Sequence, residues 1–170
     1  SMNAQMYVRG NPVDYDGWAA QGNAGWAWED VQPLFRRSER HALGPTEHHG
    51  AHGPAHVEPP RDPNPLTLAA VEAAVQSGTP RIDDVNGATQ DGVALTQVTQ
   101  LRGRRWSAAD AFLHPARDRP NLDVMTGAMA TRIVFEGRRA IGVEYRKDGD
   151  ERGVRAQREV LLCAGALQSP

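Results

Sequence analysis

The chain has 170 residues, a formal net charge of −2 and a mean hydropathy of −0.57. No long run of lysine or arginine indicates a nucleic acid or an acidic membrane as partner, and no stretch reaches the roughly 20 apolar residues that span a bilayer. The N-terminus lacks the apolar core of a signal peptide, and the single cysteine, Cys163, excludes an internal disulfide. We therefore expect a soluble, cytoplasmic protein.

Residues 1–40 contain turn signals followed by one short helix. The sequence predicts the helix near residues 28–38, because acidic residues fall in its first turn and arginines in its last turn, where each suits the helix dipole. Pro33 should kink it, and Ala27 offers no capping oxygen at its start. The residues expected to pack this region are apolar or aromatic: Trp18, Trp26, Val31, Leu34 and Phe35.

Residues 41–63 form a segment rich in histidine, glycine and proline, and five of the six histidines of the chain lie in it. Such a cluster raises the hypothesis of a metal site. It lacks a His-x-x-x-His helical face and partner cysteines, which would fix the ligand geometry. We therefore expect a solvated, mobile loop and no resident metal.

Two helices are expected in the remainder of the 41–120 region. The first is capped by Asn64, has Pro65 at its first position and ends before Gly78. A short strand is expected within residues 93–101, between turn dipeptides. The second helix should start at Ser107, whose hydroxyl can cap it, and run to about His114.

Residues 121–170 read as predominantly β-structure. Strands are predicted over 121–126, 130–136 and 140–146, with a hairpin loop at 136–139 and a second turn at 148–150. The continuous apolar run 159–166 is typical of a strand buried on both faces of a parallel sheet. Such a strand needs parallel neighbours, and no other stretch of the chain predicts one.

The three regions 1–40, 41–120 and 121–170 together predict a mixed α/β chain, which would be α+β if taken alone. Generic signatures such as a Gly-x-Gly-x-x-Gly loop, a Walker loop, a Gly-x-Ser-x-Gly elbow or a metal-binding cysteine cluster are absent from the sequence. We interpret the chain as an internal segment of a larger soluble protein, because it begins within a pattern and ends directly after an apolar run.

Three stretches, when taken together, indicate a family. They are SMNAQMYVRGNPVDYDGWA near the N-terminus, GRRWSAADAFLHPARDRPNLDVMTGAMATRIVFEGRRAIGVEYR in the second half, and REVLLCAGALQSP at the end. In this order they resemble the glucose–methanol–choline (GMC) family of FAD-dependent oxidoreductases, and in particular its choline dehydrogenase-like branch. The resemblance covers nearly the whole chain and implies part of a Rossmann-like FAD-binding domain, an antiparallel β-meander and the start of a substrate or cap domain.

The resemblance implies oxidation of a primary, choline-like alcohol to an aldehyde by hydride transfer to the flavin, with an unknown electron acceptor. The protein would orient the substrate and supply a base, while the cofactor carries the redox chemistry. In the family the catalytic histidine and its histidine or asparagine partner lie C-terminal to the part matched here. We therefore expect no catalytic residue in this chain, and none of its six histidines inherits that role.

The cofactor contacts implied by the resemblance are mostly made by the backbone. Met2 lies where some members carry a histidine linked covalently to FAD, and a thioether cannot form that bond, so noncovalent FAD is expected. Arg105, Ser107 and Asp110 are interpreted mainly as architecture around a helix cap. The residues expected to contact FAD are Asn3, Ala4, Met6, Ala130, Ala164 and Gly165.

Two other readings stay open on the sequence alone. The same fold and flavin would serve an alcohol oxidase or a hydroxynitrile lyase. A reading of another class is an inactive, cofactor-free fragment or remnant. Peripheral association with a membrane is also compatible with the sequence, whereas a partner nucleic acid is not expected.

Overall fold

A computed structural model describes residues 4–165 and 167–169. Asn3 and Ala166 therefore lie outside the described residues. The chain divides into two compact units, of which the first ends at Arg119 and the second begins at Pro120. Within the described residues, no helix combines the length and the apolar character needed to cross a bilayer.

Two helices open the first unit. Helix α1 spans Pro12–Ala20, and Asn11 begins it with a capping box in which its side chain accepts from the Val13 N–H. Helix α2 spans Trp28–Ser38 with Pro33 inside it, as predicted. Ala27 caps α2 without a side-chain hydrogen bond; instead, Asp16 of α1 accepts from the Trp28 N–H at 2.9 Å. A side chain of the preceding helix thus replaces part of the missing cap.

Aromatic side chains join α1 to α2. Tyr15, which is buried, lies at the centre of this cluster, with ring centroids 5.3–5.9 Å from those of Trp18, Trp28 and Phe35. Of the predicted packing residues, only Val31 is buried, while the other large side chains of the set remain half-exposed. The sequence therefore located the cluster but missed Tyr15 as its centre.

The histidine-rich segment is built into the first unit. Strand β1, Glu39–His41, pairs in parallel with strand β2, Ala55–Val57, so residues 42–54 form the connection between paired strands. Gly53 is buried against the end of α2, where an added Cβ would lie 2.1 Å from the Ser38 carbonyl carbon. The expectation of a solvated loop is wrong at this point, because close backbone packing requires glycine there.

The rest of the first unit contains one regular helix and short pieces. Helix α3, Pro65–Gln76, begins at Asn64 as predicted, and no residue of it is buried. Strands β3, Gln100–Leu101, and β4, Arg104–Arg105, form a two-residue antiparallel pair. The helix predicted from Ser107 is a π-helical turn over Ala109–Leu113 that continues as a 3₁₀ turn over His114–Ala116.

The second unit is an antiparallel meander. Strands β5, Met129–Glu136, β6, Arg139–Lys147, and β7, Asp150–Arg155, pair in sequence order. This order confirms the hairpin predicted at 136–139 and the turn predicted at 148–150, whereas strand β7 was not predicted. The β6–β7 turn has positive φ at both Asp148 and Gly149, at 55° and 90°. An Asp-Gly pair with this geometry is the sequence preference of a two-residue hairpin turn.

Two predicted strands of the second unit are not formed. Residues 121–126 have no regular strand, and neither do residues 159–165 within the described part of the run. Leu161 and Leu162 are 76% and 48% exposed. A strand that buries both faces is stable only between parallel neighbours, and the described residues of this unit supply none to it.

Candidate functional site

Residues 4–6 follow a strained backbone path at the start of the described chain. Ala4 and Gln5 have φ angles of 47° and 66°, a region that costs residues with a Cβ about 1–3 kcal/mol each and therefore needs support from surrounding structure. That support comes from Thr99, whose backbone N–H donates to the Gln5 carbonyl at 2.8 Å and whose hydroxyl donates to the same oxygen at 3.3 Å.

The backbone N–H and C=O of Met6 point away from residues 97–99, which support this part of the chain. It forms an antiparallel bridge opposite Val98, and the flanking hydrogen bonds run between residue pairs 5–99 and 7–97. This pattern makes Met6 and Val98 a non-hydrogen-bonded pair, so the N–H and C=O of Met6 point to the opposite side. The Met6 side chain is 53% exposed. Residues 4–6 can therefore offer backbone groups to a ligand.

An open cleft of about 300 Å³ lies beside this segment. Gln5 and Met6 line one side of it, and Trp106, Ser107 and Phe112 line another. The Ser107 N–H donates to Asp110 at 2.8 Å and its hydroxyl donates to the same carboxylate at 2.5 Å. The Ser107–Asp110 pair thus fixes the start of the π-helical turn, in agreement with its predicted architectural role, while Arg105 is exposed.

The backbone of residues 7–9, which continues this segment, is held by the buried side chain of Asn86, the half-buried side chain of Gln90 and the backbone of Gln97. Asn86 donates to the Tyr7 carbonyl at 2.9 Å and accepts from the Arg9 N–H at 2.8 Å. Gln90 donates to the Arg9 carbonyl at 3.0 Å, and the Tyr7 N–H donates to the Gln97 carbonyl at 2.8 Å. Side chains thus occupy the position that a neighbouring strand would have in a sheet.

A closed ring of hydrogen bonds starts and ends on Arg9. The Arg9 guanidinium bonds Glu39 at 2.8 Å, the other oxygen of Glu39 lies 2.9 Å from Nδ1 of His49, and Nε2 of His49 lies 2.5 Å from Asp84. Asp84 accepts from the Asn86 N–H at 2.8 Å, and the Asn86 side chain accepts from the Arg9 N–H. We call this set, Arg9, Glu39, His49, Asp84 and Asn86, the Arg9 ring.

The Arg9 ring requires a protonated His49. Ionised carboxylates only accept hydrogen bonds, so an imidazole between two of them must donate from both nitrogens. Burial lowers the pKa of His49, but the hydrogen bonds to Glu39 and Asp84 outweigh burial and raise it above its ordinary value. For the two carboxylates the directions are reversed. Burial raises the pKa of Glu39 and of Asp84, but the hydrogen bonds donated by His49 and by backbone N–H groups outweigh burial and bring both pKa values below their ordinary values. The two positive and two negative charges then balance.

Glu39, His41 and His49 also bring one ligand-type atom each within 4.8 Å of one another. The hydrogen bonds just described already use both nitrogens of His49 and both oxygens of Glu39. The two imidazole rings stack with centroids 4.1 Å apart and 27° between their planes, so their in-plane nitrogen lone pairs do not converge on one point. The geometry favours an ion network over a metal site.

The remaining residues predicted from the resemblance lie in the second unit. Ala130 is exposed on β5 beside a register shift towards Arg132, which marks a β-bulge. Ala164 and Gly165 are exposed, and Gly165 has a φ of 87°. Their expected position at the end of a buried strand is wrong for the described residues, since no strand forms there. Ala4 and Met6 lie in the first unit, and Asn3 precedes the described residues.

Comparisons with known proteins identify the class. The model of the family described as GMC oxidoreductase matches residues 1–170. The chain is 42% identical over 170 residues to mitochondrial choline dehydrogenase of Mus musculus, covering 100% of this chain and 28% of that protein. It is 46% identical over 174 residues to the oxygen-dependent choline dehydrogenase of Ectopseudomonas mendocina (strain ymp), covering 99% and 31%.

Solved structures agree with the sequence matches. Pyridoxine 4-oxidase from Mesorbium loti superposes with a TM-score of 0.84 at 36% identity, covering 98% of this chain and 33% of that one. An FAD-dependent oxidoreductase from Chaetomium thermophilum gives a TM-score of 0.78 at 28% identity, covering 91% and 29%. The fold is therefore that of a segment of a flavin-dependent oxidoreductase.

The chain belongs to the GMC oxidoreductase family, whose cofactor is FAD. The family, the mixed α/β fold class and the cofactor expected from the sequence are thus confirmed. The chain spans about three tenths of the length of the curated relatives it matches.

Sequence reasoning missed the Arg9 ring. Its members are separated by up to 77 positions, as in the bond from Arg9 to Asn86, and none belongs to a local motif. The one available signal was the histidine cluster of residues 41–63, which includes His49 but suggested either a metal site or a solvated loop. A buried histidine between two carboxylates is recognisable only once the fold brings positions 39, 49 and 84 together.

Proposed function

We propose that this chain is a cofactor-contacting segment of an FAD-dependent oxidoreductase that oxidises a primary, choline-like alcohol to the aldehyde. The observation that carries the proposal is the 42–46% identity to choline dehydrogenases over essentially the whole chain. FAD, when bound, supplies the hydride acceptor. The substrate class follows from the names of those relatives, and the electron acceptor is left open.

Residues 4–6 fit a backbone contact with FAD. The N–H and C=O of Met6 face away from residues 97–99, and within the described residues no backbone partner occupies the Met6 N–H. The left-handed φ angles of Ala4 and Gln5 turn the chain just before this point. We propose Asn3, Ala4 and Met6 as contacts to the flavin or its pyrophosphate, with Asn3 proposed on the sequence resemblance alone.

Three further contacts belong to the second unit. The bulge next to Ala130 locally re-aims the backbone of β5, a device often found beside active sites. Ala130 is small and exposed, which leaves its main chain open to the adenine. Ala164 and Gly165 are likewise small, and the left-handed φ of Gly165 permits close backbone approach. These features support the three residues as cofactor contacts.

The FAD is proposed to be held noncovalently. Met2 stands where some members of the family carry the histidine that links to FAD, and its thioether cannot form that bond. A cytoplasmic location also remains part of the proposal, supported by the single cysteine, Cys163, which is free and exposed.

The test uses the full-length protein that contains this segment. We expect a yellow protein with one FAD per chain, and the flavin should leave with the supernatant after acid precipitation because it is not covalently attached. Choline should bleach the flavin anaerobically and drive reduction of an artificial acceptor dye. A protein that purifies without flavin, and does not take up added FAD, contradicts the proposal and supports the reading of a cofactor-free remnant.

One observation favours a second candidate, an alcohol oxidase. The structural neighbour with a TM-score of 0.84 is named an oxidase. Oxygen consumption with stoichiometric peroxide during choline turnover would support the oxidase, whereas dye reduction without oxygen uptake would support the dehydrogenase. Release of an aldehyde and cyanide from a cyanohydrin, without flavin reduction, would instead indicate the lyase of the same fold.

A further inference from the structure

Residues 7–9 carry a density of side-chain hydrogen bonds unusual for an irregular segment. Asn86 bonds the backbone at both Tyr7 and Arg9, and Gln90 bonds Arg9 again. Asn86 is 4% exposed and Arg9 is 5% exposed. Backbone groups of loops more often meet solvent, so burying this set requires each polar partner to be present.

The same bonds connect this segment to the buried charges. The Arg9 side chain reaches Glu39, whose side chain is fully buried, and also donates to the His48 carbonyl at 2.7 Å. His49 joins Glu39 to Asp84, and Asp84 bonds both Asn86 and Gln97. The His49 imidazolium is therefore the element that closes the Arg9 ring.

Gln97 connects the ring to the strained residues. Its side chain donates to Asp84 at 3.1 Å, and its carbonyl accepts from Tyr7. Two residues later, Thr99 holds the Gln5 carbonyl. Residues 5–9 are thus fixed by a single support that runs from Thr99 through Gln97 to the Arg9 ring, and strained φ angles persist only where such support exists.

We propose that His49 is a positioning residue for the cofactor: as an imidazolium shared by Glu39 and Asp84, it closes the Arg9 ring and thereby holds the backbone of residues 4–6 in its FAD-contacting conformation. This inference rests on the proposed function, since it requires residues 4–6 to contact FAD. His49 touches no reacting atom, and its effect on the flavin passes through Arg9, Asn86 and the main chain.

The surroundings of His49 make its charge state decisive. If His49 is neutral it can donate to only one of the two carboxylates, and its other nitrogen then turns a lone pair towards the oxygen of the second carboxylate, which is repulsive. Burial and the charge of His49 lower the pKa of the neighbouring His41, which disfavours a replacement charge at that position. The titratable and charged groups that contact His49 or its partners are Glu39, Asp84, His41, Arg9 and Tyr7. Arg36, Arg37 and His52 line an open cleft beside His49, and their side chains are exposed.

The experiment compares His49→Gln with His52→Gln in the full-length holoenzyme. His52 lies in the same segment but is exposed, and it belongs to no hydrogen bond among the described residues. Apoprotein of each variant is titrated with FAD while flavin fluorescence is followed, and the visible circular dichroism of bound flavin is recorded. We expect His49→Gln to weaken FAD binding about tenfold or more, equivalent to about 1.4 kcal/mol, and to alter the dichroism, with His52→Gln unchanged.

The wild-type protein gives an independent measurement if His49→Gln does not fold. The FAD dissociation constant of the wild-type protein should rise as pH increases through the raised pKa of His49. The control variant His52→Gln should show the same rise over the same pH range. Gln90→Ala, which removes one bond to the Arg9 carbonyl without burying a charge, should weaken FAD binding by a smaller factor and leave that pH dependence in place.

The outcomes separate the two proposals. A protein that never binds FAD contradicts the proposed function itself. The positioning role is overturned if wild type and His49→Gln bind FAD with the same affinity and the same flavin dichroism. If His49→Gln does not fold, the role is overturned when the FAD affinity of the wild-type protein does not change with pH. A lowered melting temperature of the His49→Gln apoprotein with unchanged flavin dichroism also overturns it, because that pattern describes a purely structural histidine.

Discussion

The two units of the chain use the same kinds of charged pairs in opposite surroundings. In the first unit, Arg9 and Glu39 are 2% and 0% exposed at the side chain. In the second, Arg132 and Glu144 form a two-bond pair across β5 and β6 with side chains that are 64% and 40% exposed. The first pair is part of a closed network, whereas the second lies on a ladder already held by backbone hydrogen bonds.

The two units are therefore specified by different kinds of interaction. The meander is specified by alternating residues and short turns, so its exposed ion pairs add little, as exposed pairs in water generally do. The first unit has few regular strands, and its irregular segments are joined by buried polar side chains. Losing one partner there leaves an uncompensated buried charge, which is costly.

Removing Glu39 should give the largest effect. Glu39→Ala leaves Arg9 and His49 buried without their shared carboxylate, and we expect a loss of about 3–5 kcal/mol in the free energy of unfolding. Denaturant titration of the protein measures it. The matched change Glu144→Ala removes an exposed carboxylate of the meander and should leave the free energy nearly unchanged. Equal losses for the two variants would contradict the contrast between the units.

Adding a methyl group at Gly53 should have the next largest effect. A Cβ at this position would lie 2.4 Å from the Glu39 backbone nitrogen, so α2 and β1 would have to shift, at a cost of about 1–3 kcal/mol. Gly153→Ala in β7 is the control, because the nearest atom to its Cβ would be 3.9 Å away. Thermal unfolding should show a lower melting temperature for Gly53→Ala and an unchanged melting temperature for Gly153→Ala.

The pH dependence of stability should come from the first unit. The raised pKa of His49 contributes stability that is fully present below its ordinary value of 6.5 and is lost as pH rises through the folded-state pKa. The lowered pKa values of Glu39 and Asp84 contribute stability that is present above their ordinary values of 4.5 and 3.8 and is lost as pH falls through the folded-state values. Stability should therefore be greatest between about pH 4.5 and 6.5.

Urea titrations at pH values within, below and above that range measure this dependence. His49→Gln should abolish the loss on the alkaline side and reduce the loss on the acidic side, because donation from His49 is part of what lowers the pKa of Glu39 and Asp84. An alkaline loss that persists in His49→Gln would show that another group is responsible.

The smallest effect is expected at the start of α2. Asp16→Ala removes the acceptor for the Trp28 N–H and should cost about 1 kcal/mol, the usual value of a lost cap. Ala27→Ser introduced into Asp16→Ala should recover part of the loss, because a serine hydroxyl can cap the same turn. No recovery in the double variant would show that Asp16 acts by another contact.

The sequence predicted those elements whose cause is local. Asn64 with Pro65, the alternation over 130–146 and the Asp148-Gly149 turn each combine a propensity with a nearby pattern, and each element forms as expected. The run 159–165 failed because a doubly buried strand depends on neighbours that the described residues do not provide. The Arg9 ring was beyond prediction, since it joins positions 9, 39, 49, 84 and 86 through tertiary contacts alone.

Amide hydrogen exchange of the full-length protein with and without FAD tests the proposed flavin contact of residues 4–6 directly. Residues 4–9 should be protected on addition of FAD, because the backbone of Met6 is proposed to bond the cofactor and the Arg9 ring to hold it. Residues 150–155 of β7 serve as the internal reference and should not change. Unchanged exchange of residues 4–9 in a protein shown to have bound FAD would contradict the assignment of this segment as a flavin contact.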